Sequence, residues 1–109
     1  MRLHPSYATS LNNLAALYES MGKPKQALPL YEESLSVKRE VLGTQHPSYA
    51  TSLNNLAGLY ESMGKPEQAL PLFEEAVGIF TKVLGEQHPS TKTVKGNYEL
   101  CLENMKYHR

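Results

Sequence analysis

The sequence predicts an all-α protein in which antiparallel helix hairpins stack along one axis. Three observations support this: an internal repeat of 42 residues, apolar residues that recur three and four positions apart, and prolines and glycines at fixed places in each repeat. Residues 4–45 and 46–87 are identical at 31 of 42 positions without a gap, and the pattern begins again at His88. We therefore expect one domain over residues 1–109, with repeat 1 at 4–45, repeat 2 at 46–87 and a final segment at 88–109.

Each repeat is predicted to form two helices. In repeat 1 the first helix begins at Pro5, because proline is favoured at the first helical position, and ends at Gly22. The second helix is predicted between Pro24 and Gly43, and the short link between the two helices requires them to run antiparallel. The apolar stripes of these helices comprise Tyr7, Leu11, Leu14, Tyr18 and Met21, and then Ala27, Tyr31, Ser34, Leu35, Val41 and Leu42.

The final segment is predicted to be a capping helix. It carries charged residues at three positions where repeat 2 has apolar ones: Lys92, Lys95 and Glu99 replace Ala50, Leu53 and Ala57. Its remaining apolar stripe is Val94, Tyr98, Cys101, Leu102 and Met105. A helix with one apolar and one charged face can end a stack of repeats. Nothing comparable closes the first helix, so its surface near Leu3 and Tyr7 is a candidate for self-stacking between copies or for packing of an upstream repeat.

The repeat resembles a known family at particular residues. The patterns Leu11-x-x-Leu14-Ala15-x-x-Tyr18 and Ala27-x-x-x-Tyr31-x-x-Ser34 are similar to the tetratricopeptide repeat signature. Repeat 2 carries the same pattern as Leu53, Leu56, Ala57, Tyr60, Ala69, Phe73 and Ala76. The family's usual tryptophan is replaced by Leu11 and Leu53, and the proline near the end of the second helix by Arg39 and Thr81. The 42-residue period is similar to that of kinesin light chain repeats. The resemblance implies a right-handed α-solenoid that acts as a protein-binding scaffold.

Composition excludes several classes of function. Lys and Arg total 11 and are balanced by 11 acidic residues, so the basic surface that nucleic-acid binding requires is not expected. No apolar run is long enough to cross a membrane, and the first thirty residues lack the apolar core of a signal peptide. Cys101 is the only cysteine, which excludes an intrachain disulfide and favours a reducing compartment, the cytoplasm.

No catalytic site, metal site or cofactor is predicted. The chain contains no aspartate, no serine in a G-x-S-x-G motif and no glycine-rich phosphate loop. His4, His46 and His88 lie one repeat apart at the start of each first helix, so we expect them to begin helices rather than to converge on one metal ion. The adjacent Glu32 and Glu33 diverge on a helix and cannot share a proton. The sequence therefore predicts a protein without enzymatic activity.

A strip of small and amide side chains is the candidate binding surface. At about 100° per residue, these residues lie opposite the apolar stripe of each first helix. The polar strip, as we call it, consists of Thr9, Asn12, Asn13, Ala16, Glu19 and Ser20 in repeat 1, and Thr51, Asn54, Asn55, Gly58, Glu61 and Ser62 in repeat 2. The resemblance implies that this face lines a concave groove for peptides. Small residues admit a peptide backbone, and asparagine both donates to and accepts from peptide groups.

Two roles for the asparagines remain open at this point. They either contact a ligand or hydrogen-bond between adjacent first helices. The polar strip has no Lys or Arg to hold an acidic tail, and Glu19 and Glu61 favour a neutral or basic peptide. The predicted partner is a protein or peptide, not nucleic acid or membrane. The alternative function is a structural module whose repeats stack end to end into oligomers.

Overall fold

Five helices form the part of the chain, residues 4–107, that the computed structural model describes. They are α1 Pro5–Ser20, α2 Pro24–Leu42, α3 Pro47–Ser62, α4 Pro66–Leu84 and α5 Pro89–Tyr107. Consecutive helices pack against each other as hairpins, α1 with α2 and α3 with α4, and α5 packs on α4. The predicted all-α stack of helix hairpins is therefore confirmed. We call α1, α3 and α5 the first helices, and α2 and α4 the second helices.

Histidine and proline together set the start of every first helix. The Nδ1 atom of His4 accepts a hydrogen bond from the backbone N–H of Ser6 at 3.1 Å. His46 and His88 accept the equivalent bonds from Ser48 and Ser90, each at 3.0 Å. Each bond satisfies an N–H group that has no partner within the helix, and the proline after each histidine has no N–H group to satisfy. The three histidines therefore begin helices, as the sequence predicts.

Glycine ends each second helix at the predicted position. Gly43 and Gly85 follow the last residues of α2 and α4 with φ angles of 83° and 92°. Side chains with a Cβ atom rarely adopt this conformation, so glycine turns the chain here at little cost. The turn directs each second helix back toward the next first helix, and this allows neighbouring repeats to pack.

The apolar residues of the first helices lie on two faces with different neighbours, and α1 and α3 have both. The partner face contacts the second helix of the same repeat and comprises Ala8, Leu11 and Ala15 in α1, and Ala50, Leu53 and Ala57 in α3. The leading face contacts the preceding second helix and comprises Tyr49, Leu56 and Leu59 in α3, and Thr91, Tyr98 and Cys101 in α5. Only α3 has both faces buried, so the densest part of the core lies around α3 and α4.

The predicted stripe of α1 is wrong for Tyr7, Leu14 and Met21, all of which are exposed. Tyr7 and Leu14, together with Leu17, form the leading face of α1. Tyr7 is 43% exposed and Leu17 is 55% exposed, whereas Tyr49 and Leu59 at the same positions of α3 are 0% exposed. The difference arises because α2 covers the leading face of α3, while no described helix covers that of α1. The expectation that the first helix is left uncovered agrees with this arrangement.

The buried residues of α2 also differ from the predicted stripe at its end. Val41 is exposed, whereas Val37 and Lys38 are buried. The hydroxyl of Ser34 donates to the carbonyl of Ala8 at 2.8 Å, which places Ser34 level with the first turn of α1. Because α1 and α2 are antiparallel, the end of α2 lies beyond the start of α1, where Lys38 and Arg39 contact α3.

The capping helix α5 has the predicted division into an apolar and a charged side. Lys92, Lys95 and Glu99 are exposed where α3 has buried residues. Val94 and Cys101 are buried against α4, and Cys101 Sγ lies 3.5 Å from the Pro66 carbonyl. Leu102, predicted on the buried stripe, is exposed, because it occupies the position of Tyr60, which packs toward a following second helix.

Candidate functional site

The first helices lie side by side and are joined by pairs of asparagines. Asn55 Nδ2 donates to Asn12 Oδ1 at 3.2 Å between α3 and α1. Asn97 Nδ2 donates to Asn54 Oδ1 at 3.1 Å between α5 and α3. A half-buried amide needs such a partner, and each bond also fixes the spacing of neighbouring helices. These four asparagines therefore have a structural role, whatever else they bind.

The structure brings all twelve predicted residues of the polar strip to the surface of α1 and α3. Six of them are exposed and six are half-buried. The exposed residues are Thr9, Asn13, Ala16, Ser20, Thr51 and Ser62. The half-buried residues are Asn12, Glu19, Asn54, Asn55, Gly58 and Glu61. Asn13 makes no side-chain hydrogen bond to any other residue of the described chain, so its amide is available to a ligand.

The hydroxyl groups of the polar strip bond to their own helices. Thr51 donates to the Pro47 carbonyl at 3.0 Å, and Ser62 donates to the Leu59 carbonyl at 2.9 Å. Thr9 and Ser20 do the same in α1, at 3.4 Å and 2.8 Å. The donated proton is thus used within the helix, while the oxygen can still accept a bond from a ligand. These hydroxyl groups therefore offer a ligand hydrogen-bond acceptors rather than donors.

The two glutamates of the polar strip have different surroundings. The Tyr31 hydroxyl donates to Glu19 Oε1 at 2.9 Å, and burial followed by this bond raises the pKa of Tyr31. Repeat 2 has Phe73 in place of Tyr31, so Glu61 has no such donor. Asn104 of α5 donates to Glu61 Oε2 instead, at 3.0 Å. Glu61 therefore accepts its hydrogen bond from the next first helix, and Glu19 accepts its bond from the second helix of its own hairpin.

The strip continues onto α5, which the sequence prediction treated only as a cap. Thr93, Asn97 and Glu103 occupy the positions of Thr51, Asn55 and Glu61. Leu100 is 62% exposed at the position of Gly58. Extending the 42-residue alignment beyond His88 would have identified these residues. The surface therefore runs across three helices and has one apolar side chain near its end.

Two shallow depressions lie along this surface. One, of about 260 Å³, is lined by Thr51, Asn54, Phe80, Pro89, Ser90, Thr93 and Val94. The other, of about 310 Å³, is lined by Glu61, Gly64, Pro66, Glu67 and Asn104. Their volumes are at or below the lower end of the range for small-molecule sites, so they fit single side chains better than a whole cofactor. The second depression has two carboxylates and favours a cationic or hydrogen-bond-donating side chain.

Chemically reactive groups are not gathered in this region. Among residues 4–107, no three His, Cys, Asp or Glu side chains are placed to hold a metal ion. None of the helices over the same range is long and apolar enough to span a membrane. Cys101 is buried, and desolvation raises the pKa of its thiol to about 11. The arrangement offers hydrogen bonds and shape rather than an activated nucleophile.

The fold is similar to solved repeat structures. BtubC (BKLC) from P. vanneervenii has 27% identity and a TM-score of 0.86, over 96% of this chain and 42% of that one. A Podosopora anserina protein described as having nearly identical kinesin light chain TPR-like repeats has 29% identity and a TM-score of 0.85, over 95% of this chain and 49% of that one. A single-substitution variant of that protein has 29% identity and a TM-score of 0.85, over 97% of this chain and 50% of that one. The chain thus spans half or less of each of these structures.

Sequence comparison identifies the family. A search of curated protein sequences finds no significant match. The tetratricopeptide repeat profile matches residues 6–82, most of the chain. These residues include nearly all of both hairpins and the whole polar strip of α1 and α3. The chain therefore belongs to the tetratricopeptide repeat family, with repeats of the kinesin light chain type.

Proposed function

We propose that the chain is a non-enzymatic scaffold whose polar strip binds a segment of a partner protein. The observation that supports this most directly is the repetition of one side-chain set on three adjacent helices. A threonine, an asparagine and a glutamate recur at the same positions of α1, α3 and α5. The asparagine bonds between helices use only part of this set, and Asn13 takes no part in them. Protein-interaction surfaces are the usual role of this fold.

The chemistry of the strip suits a peptide backbone. Ala16 and Gly58 have little or no side chain, so an extended segment can approach α1 and α3 closely. Asn13, Asn55 and Asn97 then offer amide groups that match peptide N–H and C=O groups. Leu100 adds an exposed apolar contact on α5. We expect the segment to carry an apolar side chain near that contact.

Charge favours a neutral or basic segment. Glu19, Glu61 and Glu103 recur on the three first helices, and Glu67 lies beside Glu61 in the larger depression. Lys106 pairs with Glu103 at 3.6 Å, which leaves the acidic excess around Glu61. A cationic side chain of the partner would meet two carboxylates there. We also place the protein in a reducing compartment such as the cytoplasm, which suits the free Cys101 thiol.

A peptide-display selection on the complete chain tests the proposal. The affinity of the strongest peptide is then compared between the wild type and Asn13→Ala, Asn55→Ala and Asn12→Ala variants. Asn13→Ala is expected to weaken binding at least about fivefold without changing stability, because its amide has no partner in the described chain. Asn12→Ala breaks the same bond as Asn55→Ala, and so measures the cost of the lost helix contact.

Gln68→Ala serves as the matched control, since Gln68 is an exposed amide on α4 that lines neither depression. The proposal fails if Asn13→Ala binds as well as wild type, or if Gln68→Ala weakens binding equally. It also fails if no peptide is selected by the folded chain.

The leading face of α1 supports a second candidate function, assembly by stacking. Tyr7, Leu14 and Leu17 form an exposed apolar surface, and Met21 extends it. Sedimentation velocity at increasing concentration distinguishes this function from peptide binding. Oligomers that disappear on Tyr7→Glu substitution would support assembly, and a monomer at all concentrations would exclude it. Leu3, also predicted to contribute, lies outside the described residues.

A further inference from the structure

The contact between α2 and α3 depends on two basic residues near the end of α2. Arg39 donates to the Tyr49 hydroxyl through Nε at 3.2 Å and through Nη2 at 2.9 Å. Lys38 is buried and its Nζ donates to the Ser48 carbonyl at 3.3 Å. Together they recognise the first turn of α3 by one hydroxyl and one backbone oxygen. In this Lys-Arg pair, only the Arg39 bonds depend on the sequence of α3, because they require the tyrosine hydroxyl, whereas Lys38 bonds a backbone oxygen.

The contact between α4 and α5 has a different composition at the same positions. Phe80 and Thr81 replace the Lys-Arg pair, and Thr91 replaces the tyrosine. Phe80 is buried, and it lines a depression together with Ser90. Thr91 is also buried, and its hydroxyl has no partner among the described residues. The α2–α3 contact therefore joins charged donors on the second helix to a tyrosine hydroxyl on the first, whereas the α4–α5 contact uses an apolar ring and two threonines.

The leading face of α1 carries the same Ser-Tyr pair that the Lys-Arg pair contacts on α3. Ser6 and Tyr7 occupy the positions of Ser48 and Tyr49. The Tyr7 hydroxyl donates to Glu33 at 2.6 Å, and this bond raises the pKa of Tyr7. Glu75 is the equivalent of Glu33 in repeat 2. Its charge raises the pKa of Arg39, although less than the hydrogen bond to Tyr49 does. Tyr7 and Glu33 thus present the hydroxyl and the carboxylate that act on Arg39 in the next repeat.

We infer that the leading face of α1 docks a repeat hairpin of a protein partner whose second helix ends in Lys-Arg at the register of Lys38 and Arg39. The apolar residues Leu14 and Leu17 provide the buried area, as Leu56 and Leu59 do in α3. Tyr7 and Glu33 select arginine by charge and hydrogen bonding. A hairpin that ends in Phe-Thr lacks both charged donors, so the face discriminates against it.

A second copy of this chain does not supply that hairpin. Its α2 is already covered by α3, and its α4 by α5. The surface that α5 leaves open carries Lys92, Lys95 and Glu99, which do not suit an apolar face. The free amide of Asn13 also fits an incoming hairpin, since Asn55 at the same position donates to Asn12 of the preceding first helix. A docked hairpin would occupy this amide, so the peptide affinities of the polar strip are measured on the chain without an attached hairpin.

The test attaches a hairpin to the complete chain through a flexible Gly/Ser linker ahead of Met1. One fusion carries a copy of residues 4–45, and its matched control carries the same copy with Lys38→Phe and Arg39→Thr. Hydrogen exchange of the α1 backbone amides reports the docked fraction. The Lys-Arg hairpin is expected to dock at least about tenfold more strongly than the control, since the control lacks charge-assisted bonds.

Two further variants separate recognition from folding of the attached hairpin. Arg39→Ala in the attached copy should remove most of the difference in docking between the Lys-Arg hairpin and its control. Tyr7→Thr in the receiving chain should reverse the preference, because threonine is the residue that faces Phe-Thr at Thr91. Equal protection by both hairpins, protection by neither, or no effect of Tyr7→Thr would overturn the inference. Dimers of the unfused chain that disappear on Tyr7→Glu would also overturn it, and would identify a second copy as the occupant.

Discussion

Tyr31 and Phe73 differ by one hydroxyl group, and that group decides how a glutamate of the binding surface is held. The Tyr31 hydroxyl bonds Glu19, whereas Glu61, which lacks such a donor, bonds Asn104 of the next first helix. The Tyr31 hydroxyl in repeat 1, together with Asn104 of α5 at the position of Ser62, thus changes which carboxylate connects two helices across the surface. Two repeats with nearly the same sequence therefore offer a ligand different chemistry.

The histidines that begin the first helices contribute measurably to stability. We expect His46→Ala to lower the free energy of unfolding by about 1 kcal/mol, because the Ser48 N–H group loses its acceptor. His46→Asn should restore most of this loss, since asparagine is a strong N-cap residue. Urea unfolding followed by circular dichroism measures both changes. Equal losses in the two variants would show that the histidine acts through something other than its acceptor nitrogen.

Cys101 provides a chemical measure of folding. The side chain is fully buried, and desolvation, with a smaller contribution from Glu61, raises the pKa of its thiol from 9.0 to about 11. The folded protein therefore holds a protonated thiol at neutral pH. We expect iodoacetamide to react at least about a hundredfold more slowly with the native chain than with the chain in urea.

The same shift makes stability depend on pH. A pKa raised by folding stabilises the native state below the unfolded value of 9.0, and this contribution is lost as the pH rises toward 11. Relative to Cys101→Ala, the wild type should lose up to about 3 kcal/mol across that interval. Urea unfolding of both proteins at several pH values measures the difference. A constant difference between them would contradict the assigned cause.

At the scale of the helix, identical side chains contribute differently to stability, depending on whether another helix covers them. Leu59 and Leu17 occupy the same position of α3 and α1, but only Leu59 is buried. We expect Leu59→Ala to cost about 2–5 kcal/mol of stability and Leu17→Ala no more than about 0.5 kcal/mol. Chemical denaturation of the two variants measures this directly. Equal costs would mean that α1 is covered in solution.

We expect the charged face of α5 to oppose the packing of a further helix. Lys95→Leu combined with Glu99→Ala restores the residues that α3 uses to contact α4. The variant should self-associate, because it exposes a new apolar face next to the exposed Leu102. Sedimentation velocity detects the change, with Lys95→Gln combined with Glu99→Gln as the control that removes charge alone. A monomeric double variant would show that charge is not what ends the stack.

Helix ends could be predicted from sequence, whereas coverage of the faces could not. Pro5 and Gly43 act locally, so the bounds of α1 and α2 follow from their neighbours in the chain. Tyr7 and Tyr49 lie in identical local sequences, and one is exposed while the other is buried. Their difference depends on a preceding second helix, which periodicity within one helix does not describe.

The candidate site could likewise be predicted from the sequence only in part. The twelve residues of the polar strip follow from helical geometry, and all of them are accessible in the structure. Which asparagines pair was not predictable, because Asn55 bonds Asn12 rather than the equivalent Asn13. That offset depends on how far one helix is displaced along the next. The pairing answers part of the open question: Asn12 and Asn55 bond between adjacent first helices, whereas contact of Asn13 with a ligand is our proposal.

At the scale of the whole molecule, the protein is a slab two helices thick. Its principal extents are 46 × 34 × 18 Å, and the shortest is about twice the width of one helix. The first helices form one layer and the second helices the other. Every first helix is therefore close to solvent on its strip side, and a ligand can span all three without any change of fold.

Binding of a peptide along these three helices is the central claim, and nuclear magnetic resonance tests it most directly. The isotope-labelled complete chain is titrated with the strongest peptide from the display selection, and backbone amide shifts are mapped. The largest changes are expected at Thr9, Asn13, Thr51, Asn55, Thr93 and Asn97. Changes confined to α2 and α4, or to the leading face of α1, would contradict the claim.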